Sequence, residues 1–274
     1  MEIVFVGSSA IGLQKLSQSK RFDVIDVLCL KKKVNPELEN ATCALGLKIK
    51  TFNWINDFEK LIDKYESSTR FFIYQLDMLV PAILTNKYDF FNIHRGNLKT
   101  NRGPNPDIWP ILLGHKTTTI TLHKINGRID LGTIIDSYDV KISNNDDVDD
   151  VLKKLEKRLP HLIESTYLFI LGKLKGEEIK DGQYRPWIKE QDFTIDPIKD
   201  SIDLMGQKIR SQKKYNGAIL IHNGKKKYVT DIFLSIPANS NKIIMIKKDN
   251  KNIYFLENTN PKYTLPKFTA SKRV

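Results

Sequence analysis

The chain has 274 residues, room for one α/β domain with a buried core and a smaller second domain. With 41% hydrophobic and 28% charged residues its balance is that of a globular protein, and no apolar run reaches the roughly 18 residues that a membrane-spanning helix needs. Two cysteines, Cys29 and Cys43, exclude a disulfide framework, and neither has zinc-ligand spacing, so a reducing cytoplasm and no metal are expected. The net charge of +12 would attract a polyanion, yet the lysines are scattered, with only Lys31 to Lys33 and Lys225 to Lys227 as short runs. A solvated surface accounts for them; nucleic acid is not required, and a nucleotide-bearing small molecule would feel the same field.

In chain order, Glu2 to Val6 and Asp23 to Leu30 are apolar and β-branched, like strands buried on both faces of a parallel sheet, and Leu13 and Leu16 suit a crossover helix between them. Residues 38 to 46 and 55 to 66 read as helices, Arg70 to Tyr74 as a strand, and Tyr88 to Ile93 as a strand ending at a polar cluster. Thr118 to Ile125 alternate before the Asn126-Gly127 turn, and Ile134-Ile135 resume a strand. Asp146 to Lys173 has helical spacing with acidic residues in its first turn and predicts one long helix, bent or broken near Pro160. After Trp187 come short strands with turns at Asn223-Gly224 and Asp249-Asn250. The expected fold class is α/β, with a domain at 1–189 and a small β-rich domain at 190–274.

Gly7-Ser8-Ser9-Ala10-Ile11-Gly12 follows a strand and opens a helix, but it matches neither a dinucleotide fingerprint nor a Walker sequence and reads as a strand-to-helix turn at the edge of a cleft. Asn92 and His94, two apart on a strand end, project to one side, an amide donor beside an imidazole. Spacing alone leaves two readings open, a polar strand end and an oxyanion and proton-transfer pair. His115, His123, His161 and His222 have no matching partners in the sequence and read as surface or core residues.

Context separates the two readings. Asn92-Ile93-His94, Asn101-Arg102-Gly103-x-x-Pro106-x-x-Trp109 and Ile129-Asp130-x-Gly132-x-Ile134-Ile135, in that order, resemble the folate-dependent formyltransferase family, which includes methionyl-tRNA, glycinamide ribonucleotide and sugar N-formyltransferases. Met1 to Ser8 at the start and Ile202-Asp203, Ile209-Arg210 and Tyr215-x-Gly217-Ala218 near the end extend the resemblance over most of the chain. Many members carry Ser-Leu-Leu-Pro after the histidine, where this chain has Arg95-Gly96-Asn97-Leu98.

The resemblance implies a Rossmann-like, mostly parallel sheet with flanking helices, and a catalytic trio of Asn92, His94 and Asp130. It implies N10-formyltetrahydrofolate as cosubstrate, held by Gln75, Leu76, Met78 and Leu79 and by Gly127 and Arg128. Ser8, Arg95, Lys99, Arg102 and Trp109 are the implied acceptor contacts, the cations facing a pyrophosphate. Trp109-Pro110 resembles the sugar-nucleotide enzymes, which points to a dTDP-linked 4-amino-4,6-dideoxyhexose and surface-polysaccharide synthesis, with homodimers by analogy. Methionyl-tRNA formyltransferase is the alternative, although its longer Gly- and Lys-rich loop after the second strand is replaced here by Lys31-Lys32-Lys33 and Pro36. A formyltetrahydrofolate hydrolase and a noncatalytic nucleotide-binding protein are the remaining readings.

Overall fold

In a computed structural model, residues 1–237, 242–249 and 251–262 are described. The first half alternates strand and helix. It runs β1 (Glu2–Gly7), α1 (Ala10–Gln18), β2 (Asp23–Leu30), α2 (Pro36–Cys43), β3 (Ile49–Phe52), α3 (Ile55–Ile62), β4 (Arg70–Tyr74), α4 (Ala82–Thr85) and β5 (Asp89–His94). There follow α5 (Trp109–Leu112), β6 (Thr117–Ile125), β7 (Gly132–Lys141), α6 (Val148–Glu156), α7 (Leu159–Ile170) and β8 (Glu177–Ile179). The last part holds β9 (Thr194–Ile195), α8 (Ile202–Gln212), β10 (Ala218–His222), β11 (Lys225–Phe233), β12 (Ile243–Lys248) and β13 (Lys251–Glu257).

Two units emerge. The first comprises Met1–Pro106, Thr117–Val140 and Lys153–Pro186; the second comprises Asp107–Lys116, Lys141–Leu152 and the described residues from Trp187 onward. The first carries an eight-stranded sheet in the order β3-β2-β1-β4-β5-β6-β7-β8, parallel from β3 through β5. β6 runs antiparallel to β5, and β8 antiparallel to β7. This is the expected α/β class, with a mostly parallel sheet whose central strands β1, β4 and β5 are buried along most of their length. Under one face Phe52, Phe58, Phe71, Tyr88 and Phe90 gather with Val4, Leu28 and Ile73. Phe71 and Phe90 stack with centroids 4.7 Å apart, a contact that contributes about 0.5–1.5 kcal/mol beyond the area it buries and ties β5 to β4.

The second unit has its own sheet, β12-β13-β11-β10-β9, whose inner face packs with Met205 and Ile209 of α8. Helix α8, capped by the Ser201 hydroxyl, which accepts from the Leu204 amide, lies in a region expected to be strands and turns alone. Asn223 and Gly224 form the turn between β10 and β11 with φ +50° and +70°. Of the turn expected at Asp249-Asn250, Asn250 lies outside the described residues, as do 263–274 of the expected β-rich region. The helix expected over 146 to 173, bent or broken near Pro160, is broken into two, α6 and α7. Pro160, which has no amide hydrogen to donate, sits in the first turn of α7, where none is needed.

Candidate active site

β5 ends at the carboxyl edge of the parallel strands, where folds of this type place their chemistry. Asn92 and His94 leave that strand on one side, and across the antiparallel ladder Asn92 faces His123 and His94 faces Thr121. The Thr121 hydroxyl donates to the carbonyl of Gly96 at 2.8 Å and so fixes the turn that follows His94. A Cβ on residue 96 would come within 2.9 Å of both His94 Nε2 and the Asn101 carbonyl, so only glycine lets this turn close over the ring.

His94, 5% exposed, has a polar group facing each ring nitrogen. Nε2 lies 2.8 Å from the carbonyl of Asn101, and a carbonyl only accepts, so Nε2 carries a proton. Nδ1 lies 3.6 Å from Asp130 Oδ1, within ion-pair range but beyond a hydrogen bond. Any proton exchanged with Asp130 or a water between them therefore moves at Nδ1.

Asp130 is placed by its backbone and by one amide. Its φ of +45° is a left-handed conformation that most residues avoid and aspartate tolerates. Its Oδ2 accepts the Gly103 amide at 2.7 Å. Gly103 has φ +98°, and a Cβ there would meet the Arg185 carbonyl at 2.5 Å, so the loop that supplies this amide depends on glycine.

Arg102 closes the arrangement. Its Nη1 donates to the Ile129 carbonyl at 3.2 Å, and Nε and Nη2 donate to the Gly182 carbonyl at 3.0 and 2.7 Å. Its main chain also pairs with Gln183 and Arg185. The guanidinium thus ties the residue before Asp130 to Gly182, which lies 80 positions beyond Arg102 itself, a role that the sequence, which offered it to a pyrophosphate, did not suggest.

His123 and Asn101 were missed as site residues. His123 is fully buried, and its Nε2 lies 2.9 Å from Asn92 Nδ2, so the reading of it as a histidine without a partner is corrected. Burial pushes its pKa down to about 4, with the His94 ring adding to the depression and Asp130 and the Leu131 main chain opposing it. The unfolded chain takes that proton near 6.5 and the folded chain only near 4, so between these values the unfolded state binds more protons. The contribution of His123 to stability is accordingly constant above pH 6.5 and falls as pH drops through the window, by an amount on the order of 3 kcal/mol. Thermal unfolding of wild type and His123→Gln from pH 7 to 4 checks this: the variant has the shallower decline, and identical slopes would refute the assignment.

The segments expected to hold the donor come together. Gln75, at φ +62°, receives both the amide and the hydroxyl of Ser8 on its carbonyl, at 3.2 and 3.1 Å. Leu76, Met78 and Ile125 pack on the same aromatic core, and Gly127 lies against the main chain of Ala82. Leu79, Ile83 and Ile129 are exposed on these segments, while the Arg128 amide is taken by Asn126 Oδ1. Of the acceptor contacts, Arg95 is half-buried just beyond β5, and exposed Lys99 pairs with Glu177 at 2.9 Å. Trp109 is buried in the second unit as the first residue of α5. Among the described residues no group of three or more His, Cys, Asp or Glu is placed to hold a metal ion, and no helix is long and apolar enough to cross a membrane.

No family model matches the chain. Among curated proteins it is 32% identical over 124 residues to the bifunctional polymyxin resistance protein ArnA of Wigglesworthia glossinidia brevipalpis, covering 45% of this chain and 18% of that protein. It is 31% identical over 145 residues to a methionyl-tRNA formyltransferase of Ehrlichia canis, covering 51% and 45%. The chain thus spans less than half the length of these two relatives. Among solved structures, a 4-N formyltransferase from Francisella tularensis superposes with a TM-score of 0.68 at 22% identity over 82% of this chain and 94% of that one. WlaRD, a sugar 3N-formyl transferase solved in the presence of dTDP and 5-N-formyl-THF, does so with a TM-score of 0.64 at 19% identity over 95% and 98%. The homologues and structural neighbours of this chain are folate-dependent formyltransferases, the family that its motifs resemble.

Proposed function

We propose that the chain transfers a formyl group from N10-formyltetrahydrofolate to the amine of a nucleotide-linked amino sugar, with Asn92, His94 and Asp130 as its catalytic residues. The observation that carries the reading is the convergence of these three, from β5 and the loop before β7, with His94 Nδ1 3.6 Å from Asp130. The folate supplies the formyl group. The exposed Leu79, Ile83 and Ile129 fit its flat ring system, since each offers apolar surface that a ring would cover.

The protein's own part follows from its donors. As the amine adds to the formyl carbon, charge grows on the formyl oxygen, and the Asn92 carboxamide can donate an N–H to it. His94 Nδ1, facing Asp130, is the atom that can take the amine's proton and return it to N10 of the folate as the bond between N10 and the formyl carbon breaks and tetrahydrofolate leaves, because Nε2 is held by Asn101. Asp130 stabilises the charged ring while it holds that proton.

Supporting a sugar acceptor, the sugar N-formyltransferase neighbour WlaRD corresponds to this chain over almost the full length of both, and its structure was solved with dTDP. The curated tRNA relative keeps the second reading, methionyl-tRNA formyltransferase, in play. A dTDP-linked 4-amino-4,6-dideoxyhexose is the acceptor we favour, used in the cytoplasm for surface-polysaccharide synthesis by a homodimer whose β-rich domain begins near residue 190. Offering a dTDP-amino sugar and charged initiator tRNA in one mixture with the folate decides between acceptors: formylated sugar nucleotide is expected, and formylation of the tRNA alone would overturn the choice.

Arg102 gives a kinetic check on its place. Arg102→Lys keeps the charge but cannot bridge both carbonyls, so kcat falls roughly 10- to 100-fold through a displaced Asp130 while acceptor KM barely changes. A raised acceptor KM at unchanged kcat would instead assign the guanidinium to the substrate's phosphates.

A further inference from the structure

We propose that His123 is the positioning residue of the site: its Nε2 accepts one of the two N–H groups of the Asn92 carboxamide and thereby aims the other at the formyl oxygen. This inference rests on the formyltransferase reading given above.

A carboxamide has a soft, roughly two-fold terminal torsion, and turning it over exchanges a donor for an acceptor. An oxyanion needs the donor side, so an Asn92 free to turn would present the wrong atom part of the time. What stops it must be a fixed group of one polarity, close to one end of the amide. His123 meets each condition. It stands directly across the β5–β6 ladder from Asn92, its Nε2 is 2.9 Å from Asn92 Nδ2, and its ring is wholly enclosed.

The polarity follows from the ring's surroundings. A buried imidazole this close to His94 stays neutral over the working range, so only one of its nitrogens bears a proton. Nδ1 has no partner of full hydrogen-bond geometry, but the Leu131 main chain favours a proton on the ring, and Nε2 is left bare to accept. One Asn92 N–H is thereby spent on His123, and the second remains for the reaction. His123 touches neither substrate in this arrangement and acts through Asn92.

A double-mutant cycle tests this. His123→Leu, which cannot accept, is expected to lower kcat about 10- to 100-fold with both KM values within a factor of about two. His123→Gln, whose amide oxygen can accept, recovers most of the loss. In an Asn92→Ala background His123→Leu changes kcat no further, because its effect passes through the missing amide. An equal loss in both backgrounds, or no loss in either, would overturn the proposal. A second readout needs no variant to fold and no turnover: nitrogen-15 spectra of the wild-type imidazoles are expected to place His123 in the neutral form protonated at Nδ1 at pH 7. A proton on Nε2 would reject the assignment. Failure of the wild type to formylate any acceptor would count against the formyltransferase reading alone, since the tautomer would still decide the role of His123.

Discussion

His94→Ala is expected to lower kcat for formyl transfer about 10²- to 10⁴-fold, the range lost with a general acid-base group, while the KM for the folate changes little. The imidazole is enclosed and bonded to the Asn101 carbonyl at 2.8 Å, so its removal also leaves a buried acceptor unpaired, at a cost of about 1–3 kcal/mol. A fall in stability of that size leaves the chain folded, and circular dichroism at the assay temperature separates it from the kinetic loss. Asn92→Ala, which removes an oxyanion donor, is expected to cost about 10²- to 10³-fold. If both variants kept more than a tenth of wild-type kcat, the site would not be where the chemistry occurs.

Asp130→Asn should lower kcat by about 10²-fold or more, and the variant isolates charge from shape. Asparagine accepts the left-handed conformation that residue 130 adopts, and its carbonyl oxygen can still receive the Gly103 amide. What disappears is the negative charge facing His94 Nδ1, and with it the stabilisation of the ring while it carries a second proton. An unchanged kcat would reduce Asp130 to a structural acceptor for Gly103.

Local pattern made part of this site legible. Asn92 and His94 share a strand end, and period-two geometry alone puts their side chains together. Thr119, Thr121 and His123 alternate along β6, and that alternation was readable too. Which residue of β6 stands opposite Asn92 was not, because register depends on loop geometry that the strand sequence does not carry. His123 was therefore taken for a histidine without a partner when it is the neighbour of Asn92. The bonds of Arg102 were hidden for a similar reason: its acceptors are main-chain carbonyls of Gly182 and Ile129, and a carbonyl has no residue type to reveal it. Helix α8 was hidden in a region read by its turns, although Ser201, Met205 and Ile209 have the cap and spacing of a helix. The break before α7, by contrast, was visible in Pro160.

The most direct test follows the carbon itself. The protein is incubated with N10-formyltetrahydrofolate labelled with carbon-13 in the formyl group and with a dTDP-linked 4-amino sugar, and both products are measured by mass spectrometry and carbon-13 NMR. The account predicts a labelled formamide on the sugar nitrogen and an equal amount of tetrahydrofolate, and neither with the Asn92→Ala, His94→Ala double variant. Label that stays on the folate, or appears only as free formate, would contradict it.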